Sequence, residues 1–256
     1  LANDIAIPEG RSWTPIAVDK QSTTGVPYTG TFNGNGHAIS GLKTETKHGG
    51  LFKSLGENSV VKNLGIIDSA FEGGNFDYVG AIAATNYGTI ENCYNTSGVT
   101  GWGMFVGGIV GENKGTIKEC YNTGTITGNG QGEGIGGICG VAREKAVIEN
   151  CYNTGSISGR WGISGICGYF DYATIRISNC YNTGKVSIVS GGYEETVHGI
   201  AYANINYHHD ETDYLAAAKN CYYLVSEENQ SGGKTSEQFA SGEVAYLLNG
   251  GQSDGV

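Results

Sequence analysis

Apolar residues recur along this chain with a period of about 28 positions, and glycine and asparagine separate them. The clearest marker is the string Cys-Tyr-Asn-Thr, which starts at Cys93, Cys120, Cys151 and Cys180, with a shorter copy at Cys221. An apolar residue stands three positions before each of the first four cysteines, at Ile90, Ile117, Ile148 and Ile177. Another stands six positions after each, at Val99, Ile126, Ile157 and Val186. Each unit therefore contains short β-branched runs, which favour strands.

The repeating unit predicts an all-β, right-handed parallel β-helix (β-solenoid) with three short strands in each coil of about 28 residues. Its apolar spacing lacks the 3.6-residue stripe of a helix. Coils stacked in register about 4.8 Å apart bury their shared apolar positions in one continuous core. A β-propeller blade needs about 40–45 residues, so the units are too short for that architecture.

The two ends of the chain differ from the repeats and are expected to cap them, because a bare terminal coil exposes strand edges. We assign residues 1–25 to an N-terminal cap, residues 26–225 to the solenoid and residues 226–256 to a C-terminal cap segment. In the last segment, residues 235–238 (Thr-Ser-Glu-Gln) form a capping-box pattern. Residues 243–248 then predict a short helix, which is expected to fold over the last coil.

Glycine, at 44 of 256 residues, is more than twice as frequent as in an average protein. On the repeat grid it supplies the corners of the coils, where positive φ or close packing favours a residue without a side chain. Asparagine also tolerates left-handed backbone and can form ladders of stacked side-chain amides. One such column is expected at Asn95, Asn122, Asn153 and Asn182. A second column is interrupted by Glu119 and comprises Asn92, Asn150, Asn179 and Asn220.

Several segments resemble the GLUG repeat of bacterial surface proteins. They are residues 49–52 (Gly-Gly-Leu-Phe), 61–65 (Val-Lys-Asn-Leu-Gly) and 106–113 (Val-Gly-Gly-Ile-Val-Gly-Glu-Asn), while residues 28–37 resemble the stretch that often leads into such repeats. The resemblance extends over about residues 26–225. It implies a module of a large secreted or wall-anchored protein, a group that includes proteins named as IgA1-specific metalloproteases. The zinc motif His-Glu-x-x-His is absent from this sequence, so a peptidase activity would have to come from the parent protein.

The charge balance narrows the range of partners. The formal net charge is −10 and the pI is about 4.9, which disfavours binding to nucleic acid or to an anionic membrane. No apolar run approaches the roughly 18–20 residues that span a bilayer, and no signal peptide or lipidation motif is present. We expect a monomeric piece of a longer bacterial protein that is secreted or displayed at the cell surface.

The seven cysteines are expected to line the core, in a column formed by Cys93, Cys120, Cys151, Cys180 and Cys221 and in a second position shared by Cys139 and Cys167. Free cysteine is among the most buried residue types. Neighbouring coils are close enough for a disulfide, so one or two bridges stay open as an alternative. No Cys-x-x-Cys pair indicates zinc, and a chain that tolerates so many thiols suits an oxygen-poor habitat such as the gut.

The candidate ligand-binding residues are aromatic. Six of them fall in or beside the predicted inter-strand loops, outside the core positions: Trp102, Phe105, Trp161, Tyr169, Phe170 and Tyr172. Flat aromatic faces on one side of a rod can stack on sugar rings, with asparagine and serine groups alongside. We therefore expect a host or microbial glycan or glycoprotein as the partner. The competing interpretation is that these rings pack over loops or seal the edges of the coils.

Residues 207–214 lie in the longest interval between successive repeats and contain a dense group of side chains of the types that bind metals. Within it, Asp210, Glu211 and Asp213 could ligate calcium, which prefers oxygen ligands. No EF-hand or Gly-Gly-x-Gly-x-Asp pattern accompanies them, and the competing explanation is a solvated insertion. No other cofactor is expected.

The sequence thus favours a non-catalytic repeat module of an exported cell-surface protein, acting as a spacer and as an adhesion or recognition surface. Parallel β-helices also host polysaccharide lyases and glycoside hydrolases. However, the carboxylates that glycoside hydrolysis needs form no repeating column, and basic residues to hold an anionic polymer are few. The sequence is also compatible with an accessory domain of a secreted IgA1-type protease and with a purely structural stalk.

Overall fold

The chain folds into an all-β parallel β-solenoid of about five turns, with a spacing of about 29 residues between turns. The computed structural model describes residues 1–17, 26–44, 49–74, 78–130, 133–170, 174–189, 191, 197–203, 218–225 and 232–251. Equivalent residues of successive coils are direct Cα partners, as at Val60, Thr89, Thr116, Val147 and Arg176. The solenoid that the repeat predicts is confirmed.

Within the described residues, four parallel sheets run along the rod. Sheet 1 contains β1 (Ile5–Ala6), β2 (Thr31–Asn33), β3 (Ala38–Ser40), β6 (Val60–Ile67), β10 (Thr89–Asn95), β14 (Thr116–Lys118), β15 (Tyr121–Asn122), β19 (Val147–Glu149), β20 (Tyr152–Asn153), β24 (Arg176–Ser178), β25 (Tyr181–Asn182), β29 (Ala218–Lys219), β30 (Tyr222–Leu224) and β31 (Gly233–Lys234). Sheet 2 contains β4 (Lys43–Thr44), β7 (Ala70–Gly73), β11 (Gly98–Gly101), β16 (Ile126–Gly128), β21 (Ile157–Gly159) and β26 (Val186–Ile188). Sheet 3 contains β8 (Tyr78–Gly80), β12 (Phe105–Gly107), β17 (Gly134–Gly136), β22 (Ile163–Ser164) and β27 (Val197–His198). Sheet 4 contains β5 (Phe52–Leu55), β9 (Ala83–Asn86), β13 (Val110–Asn113), β18 (Cys139–Ala142), β23 (Cys167–Phe170) and β28 (Ala201–Ala203).

Each coil contains more strands than the three that the sequence predicts, because it contributes to four sheets. The apolar run at residues 105–113 has the composition of one strand, but the chain turns at Gly108, between β12 and β13. A Cβ on Gly108 would lie 2.6 Å from Cγ of Asn122, so a residue with a side chain would not fit at this turn. Sheet 1 bends in each coil at a residue of positive φ, such as Asn92 (49°) or Asn150 (54°).

The predicted apolar positions form the core. Ile90, Ile117 and Ile148 are direct partners across three coils and are fully buried. Cys93 pairs with Leu64 of the preceding coil, and both side chains are fully buried. Since every coil adds the same apolar positions, the core is one uninterrupted cluster along the rod.

All seven cysteines are free thiols, and all but Cys221 are buried. Each Sγ in the five-membered column lies 3.1–3.2 Å from the carbonyl oxygen two residues earlier in the chain. Burial raises the pKa of Cys139 well above its ordinary value, which keeps this thiol protonated and unreactive.

Thiol titration should therefore find seven reactive groups per chain in denaturant, without prior reduction. In the native protein, Cys221 should react first, because the other six side chains are buried. Ellman's reagent measures both numbers, and a sample reduced beforehand serves as the control. A denatured count of five or fewer would show that at least one disulfide ties the coils together.

The asparagine ladder predicted inside the solenoid is confirmed. Nδ2 of Asn95, Asn122 and Asn153 each donates to Oδ1 of the next asparagine along the rod at 2.8 Å, ending at Asn182. The same amides donate to a carbonyl oxygen two residues later, as from Asn122 to Gly124 at 2.8 Å. These buried amides satisfy the backbone at one corner of every coil.

A second, exposed ladder follows the positive-φ bend of sheet 1. Asn92 donates to Asn63 at 2.7 Å in one part of the rod, and Asn220 donates to Asn179 at 2.7 Å in another. Glu119 occupies the same bend between these parts, with φ of 55°. The ladder is thus partial, as the sequence predicted.

The two ends of the rod are covered by short elements. At the N-terminus, β1 pairs with β3 in the register Ile5 with Ile39, and Ile16 forms a bridge with Phe52. At the C-terminus, α1 (Ser236–Ala240) and α2 (Glu243–Leu248) follow the last strand.

The predicted C-terminal helix signals are confirmed. The Thr235 N–H donates to Oε1 of Gln238 at 2.9 Å, and the Gln238 N–H donates to Oγ1 of Thr235 at 3.4 Å, which is a complete capping box. The ring of Phe239 lies 6.1 Å from the ring of Tyr181, so α1 packs against the side of the rod. In the described part of the chain, none of the helices has the length and apolar character needed to cross a membrane.

Candidate functional site: an aromatic row beside a buried carboxylate

Sheets 3 and 4 lie backbone against backbone on one side of the rod, because glycines occupy their contact. A Cβ on Gly140 of β18 would lie 2.6 Å from the Val106 N of β12 and 2.7 Å from the Gly111 O of β13. Since no side chain separates these backbones, the flanking residues Phe105 and Val141 meet outside the main core. The result is a separate apolar cluster on the outer surface of the solenoid.

Five aromatic rings extend this cluster along the rod; we call them the aromatic row: Tyr78, Phe105, Tyr169, Tyr202 and Trp161. Tyr78 stacks on Phe105 with ring centroids 5.6 Å apart, and Phe105 lies 6.1 Å from Tyr169. Tyr202 continues the contact, 6.4 Å from Tyr169 and 6.0 Å from Trp161. Phe105 and Tyr169 are buried, whereas Tyr78, Trp161 and Tyr202 are half-buried and form the accessible rim.

The expectation that the candidate aromatic residues lie outside core positions is wrong for three of them. Phe105 and Phe170 are each 2% exposed and Tyr169 is 7% exposed, because these residues lie within β12 and β23 rather than in loops. Phe170 belongs to the main core, and the other two belong to the outer cluster. Their faces are thus taken up by protein packing.

The remaining aromatic candidates fall in different places. Trp102 lies directly after β11 and is 54% exposed, while Trp161 is half-buried in the aromatic row. Tyr172 lies outside the described residues. The structure therefore joins Trp161 to two buried candidates, Phe105 and Tyr169, through Tyr202, which sequence reasoning did not select.

The predicted calcium ligands Asp210, Glu211 and Asp213 also lie outside the described residues. Within the described ranges, no group of three His, Cys, Asp or Glu side chains is placed to hold a metal ion. Calcium binding by that segment stays a prediction.

A buried carboxylate lies at one end of the aromatic row. The side chain of Glu112 is only 6% exposed, and its Oε1 lies 3.4 Å from Nη1 of Arg143 and 3.9 Å from Nζ of Lys114. The Arg143 guanidinium lies over the Phe105 ring at 5.3 Å, a cation–π contact. Lys114 also reaches Glu144 at 3.4 Å. Arg143 thus connects the buried Glu112 carboxylate to the aromatic row, and Lys114 connects it to the exposed carboxylate of Glu144.

Burial is the main cause of the pKa shifts of Glu112 and Tyr78, but not of the shift of Lys114. Desolvation raises the pKa of Glu112, and the attraction of Lys114 and Arg143 offsets it only in part. The pKa of Tyr78 is raised by burial and by the neighbouring Glu112 charge. For Lys114, burial acts to lower the pKa, but the hydrogen bond to Tyr87 and the charge of Glu112 together raise it.

The Glu112 shift predicts a pH-dependent stability. Because the folded-state pKa lies above the ordinary value of 4.5, the native state binds more protons than the unfolded state just above that pH. The contribution of Glu112 to the free energy of unfolding is therefore largest at low pH and falls as pH rises through the folded-state pKa. Urea unfolding between pH 4 and pH 7 should show this fall in the wild type and its loss in Glu112→Gln.

The matched control is Glu144→Gln, which removes the exposed carboxylate of the same cluster (59% exposed) and should keep the fall. Equal pH dependence of the wild type and Glu112→Gln would show that the attraction of the two cations cancels the burial of Glu112.

A shallow groove of about 570 Å³ adjoins the Lys114–Glu144 ion pair, where the chain passes from sheet 4 to sheet 1. It is lined by Glu57, Tyr87, Lys114, Glu144, Lys145 and Thr174. Nζ of Lys114 lies 4.9 Å from the centre of the Tyr87 ring and donates to its hydroxyl at 3.2 Å. The groove thus offers charges of both signs beside one exposed aromatic ring.

Sequence reasoning missed Glu112, although a signal for it exists. Ser54 and Thr85 occupy the same register position in the two preceding coils, and Val141 and Tyr169 occupy it in the next two, so Glu112 is a charged residue in a column of uncharged ones. A carboxylate at a position that is uncharged in the neighbouring repeats and apolar in the next two indicates a buried charge with partners. Its partners Lys114 and Arg143 could not be assigned without the turn geometry.

One solved structure has a similar fold. It belongs to a Bacteroides ovatus protein provisionally named as an immunoglobulin A1 protease, and the likeness covers 97% of this chain and 80% of that one, with a TM-score of 0.65. Sequence identity is 21%, so the likeness concerns the fold alone.

Two curated proteins share shorter stretches of sequence. Halomucin from Haloquadratum walsbyi is 37% identical over 95 residues, which is 36% of this chain and 1% of halomucin. A protein of Evansella cellulosilytica, provisionally named as a Gly-rich membrane protein, is 36% identical over 89 residues, which is 33% of this chain and 10% of that protein. The chain thus matches only a small part of either relative.

The repeats also match a motif family. Residues 105–127 and 131–158, which run from β12 to β21 in the middle of the rod, fit the family described as the GLUG motif. The resemblance seen in the sequence is confirmed there: this part of the β-solenoid is built from GLUG repeats.

Proposed function

We propose that this chain is a non-catalytic repeat module of an exported bacterial cell-surface protein, which serves as a spacer and as a recognition surface for a glycan or glycoprotein. The GLUG repeats support a surface role, as do the names of the two relatives, a halomucin and a membrane protein. The continuous core supports the role of spacer, since each coil is held by its neighbours along the whole rod.

The aromatic row carries the recognition part of this proposal. Its buried members, Phe105 and Tyr169, fix the rings of Tyr78 and Tyr202 in contact with them, and Tyr202 in turn contacts Trp161. Rings that are held in place lose little side-chain entropy when a ligand stacks on them. A pre-organised aromatic rim suits the flat apolar faces of sugar rings.

The charge of the chain selects among glycans. With a formal net charge of −10, the chain repels polyanions at long range. A neutral glycan, or the neutral part of a glycoprotein, is therefore the favoured ligand class. The half-buried Trp161 of the aromatic row and the exposed Trp102 both present ring surface for such a ligand.

A glycan array followed by titration calorimetry tests this function. The Trp102→Ala/Trp161→Ala variant should bind its best neutral glycan about 5- to 150-fold more weakly, since each lost aromatic stack removes about 0.5–1.5 kcal/mol and every 1.4 kcal/mol is about tenfold. Tyr246→Ala, which removes a 48% exposed ring from α2 at the end of the rod, should bind like the wild type. Equal losses in both variants, or silence of the array, would contradict the proposed site.

A carbohydrate-active enzyme is the second candidate, and one observation favours it. Glu112 and Glu144 both lie within 4 Å of the same Lys114 ammonium, at 3.9 and 3.4 Å, so their carboxylates are close neighbours. Glycoside hydrolysis uses a carboxyl group of raised pKa as general acid beside a second carboxylate, and the pKa of Glu112 is raised. The burial of Glu112 beneath its two cations favours a structural role instead.

A further inference from the structure

A column of stacked tyrosines runs along the outside of sheet 1. Tyr94, Tyr121, Tyr152 and Tyr181 are direct partners in successive coils. Their ring centroids lie 5.1, 4.9 and 4.9 Å apart, and the planes of neighbouring rings differ by only 3–5°. Each tyrosine directly follows a cysteine of the core column, so the sequence repeat itself sets the stacking.

The column has defined ends. Before Tyr94 the equivalent position is Gly65, and a Cβ there would collide with the Tyr94 ring, which therefore lies over the glycine. After Tyr181 the next partner is Tyr222, whose hydroxyl donates to Asn220 at 2.7 Å. The four stacked phenols thus make three adjacent pairs.

These phenols are accessible to solvent. All four side chains are half-buried, so solvent reaches part of each ring. Burial raises the pKa of Tyr121, Tyr152 and Tyr181, which keeps these groups protonated at neutral pH. Oxidation of such a phenol releases a proton together with an electron.

We propose that this tyrosine column is a site of oxidative modification, in which a peroxo compound joins neighbouring tyrosines into dityrosine and so ties one coil to the next. Each of two phenols gives up one electron and one proton, and hydrogen peroxide takes both pairs to become two water molecules. The two phenoxyl radicals then form one carbon–carbon bond between the ring carbons next to the hydroxyl groups. The hydrogen on each of those carbons moves to the phenolic oxygen, which restores both phenols.

The geometry directs coupling between adjacent coils. Two tyrosyl radicals must meet before they are quenched, and the nearest partner of each ring is held one coil away at 4.9–5.1 Å. The fixed in-register backbone keeps the partners together, which raises their effective concentration above that of any second molecule in dilute solution. Coupling within one chain is therefore favoured over coupling between chains.

The test is photo-oxidation of the whole chain with a ruthenium tris-bipyridyl sensitiser, in which persulfate accepts the two electrons and becomes two sulfate ions. The wild type should gain dityrosine fluorescence while it stays monomeric on a denaturing gel. Peptide mass spectrometry should link Tyr94 to Tyr121, Tyr121 to Tyr152, or Tyr152 to Tyr181, each with the loss of two hydrogens.

The deciding variant is Tyr121→Phe/Tyr181→Phe, which keeps the stacked rings but leaves Tyr94 and Tyr152 two coils apart. It should lose the cross-linked peptides of the column. Tyr28→Phe/Tyr246→Phe removes two phenols outside the column and should keep them. Cross-links found only in dimers would overturn the proposal. So would their absence from the wild type under conditions that couple free tyrosine.

Discussion

Asn122→Ala should destabilise the solenoid by about 3–5 kcal/mol, because it leaves several buried polar groups without partners. The Asn122 amide is fully buried, donates to Gly124 O and Asn153 Oδ1 at 2.8 Å each, and accepts from Asn95 Nδ2 at 2.8 Å. Alanine removes all three hydrogen bonds, and water cannot replace them inside the packed corner. The stability is lost because the former hydrogen-bond partners of Asn122 stay buried without a replacement, and not because apolar area is lost.

Urea unfolding monitored by circular dichroism measures this loss. Asn150→Gly is the matched control, because Asn150 belongs to the exposed ladder and has φ of 54°, a conformation that glycine adopts without strain. The control should unfold within about 0.5 kcal/mol of the wild type. If both variants lost the same amount, the interior ladder would contribute no more than an exposed one.

Gly140→Ala should cost about 3 kcal/mol or more, the upper range for overpacking. A Cβ at this position would meet backbone atoms on two sides, at 2.6 Å from Val106 N and 2.7 Å from Gly111 O. Neither neighbour is a flexible side chain, so sheets 3 and 4 must separate. Since the same contact places Phe105 and Tyr169 together, the aromatic row should loosen as well.

Gly98→Ala provides the control for this variant. Gly98 lies exposed in β11, has no positive φ, and its added Cβ would find nothing nearer than the Thr125 O at 4.0 Å. This substitution should leave the free energy of unfolding nearly unchanged. Tryptophan fluorescence, to which Trp161 contributes together with Trp13 and Trp102, should shift in Gly140→Ala alone. An unchanged spectrum and unchanged stability would refute the backbone contact between the sheets.

The core could be predicted from the sequence because a parallel solenoid repeats one residue type at one position. Cys93 and Cys120 fall one repeat apart, and so do Asn95 and Asn122. In-register stacking then converts each sequence column into a column in space. The same logic predicts the tyrosine column, since Tyr94 belongs to the same string. Sequence reasoning missed it because outward positions are usually solvated, whereas here each has a neighbour one coil away.

The aromatic row could not be predicted, because its parts are brought together by a turn rather than by the period. Tyr78 and Phe105 are register partners in sheet 3, whereas Tyr169 and Tyr202 lie in strands of sheet 4, so the two groups of rings do not share a register position. They converge only because the turn at Gly108 lays β12 against β13 and repeats this arrangement in the next coils. A sequence pattern shows which residues share a column, but not which columns meet outside the core.

The most direct test asks whether the protein binds a glycan without cleaving it. The intact chain is incubated with the neutral glycan that it binds best, and newly formed glycan ends are then assayed. We expect binding to persist unchanged over the incubation, with no new reducing or unsaturated ends above those of a buffer control. Glu112→Gln should bind the same glycan as tightly as the wild type. New ends released by the wild type and abolished in Glu112→Gln would contradict a binding module and establish an enzyme.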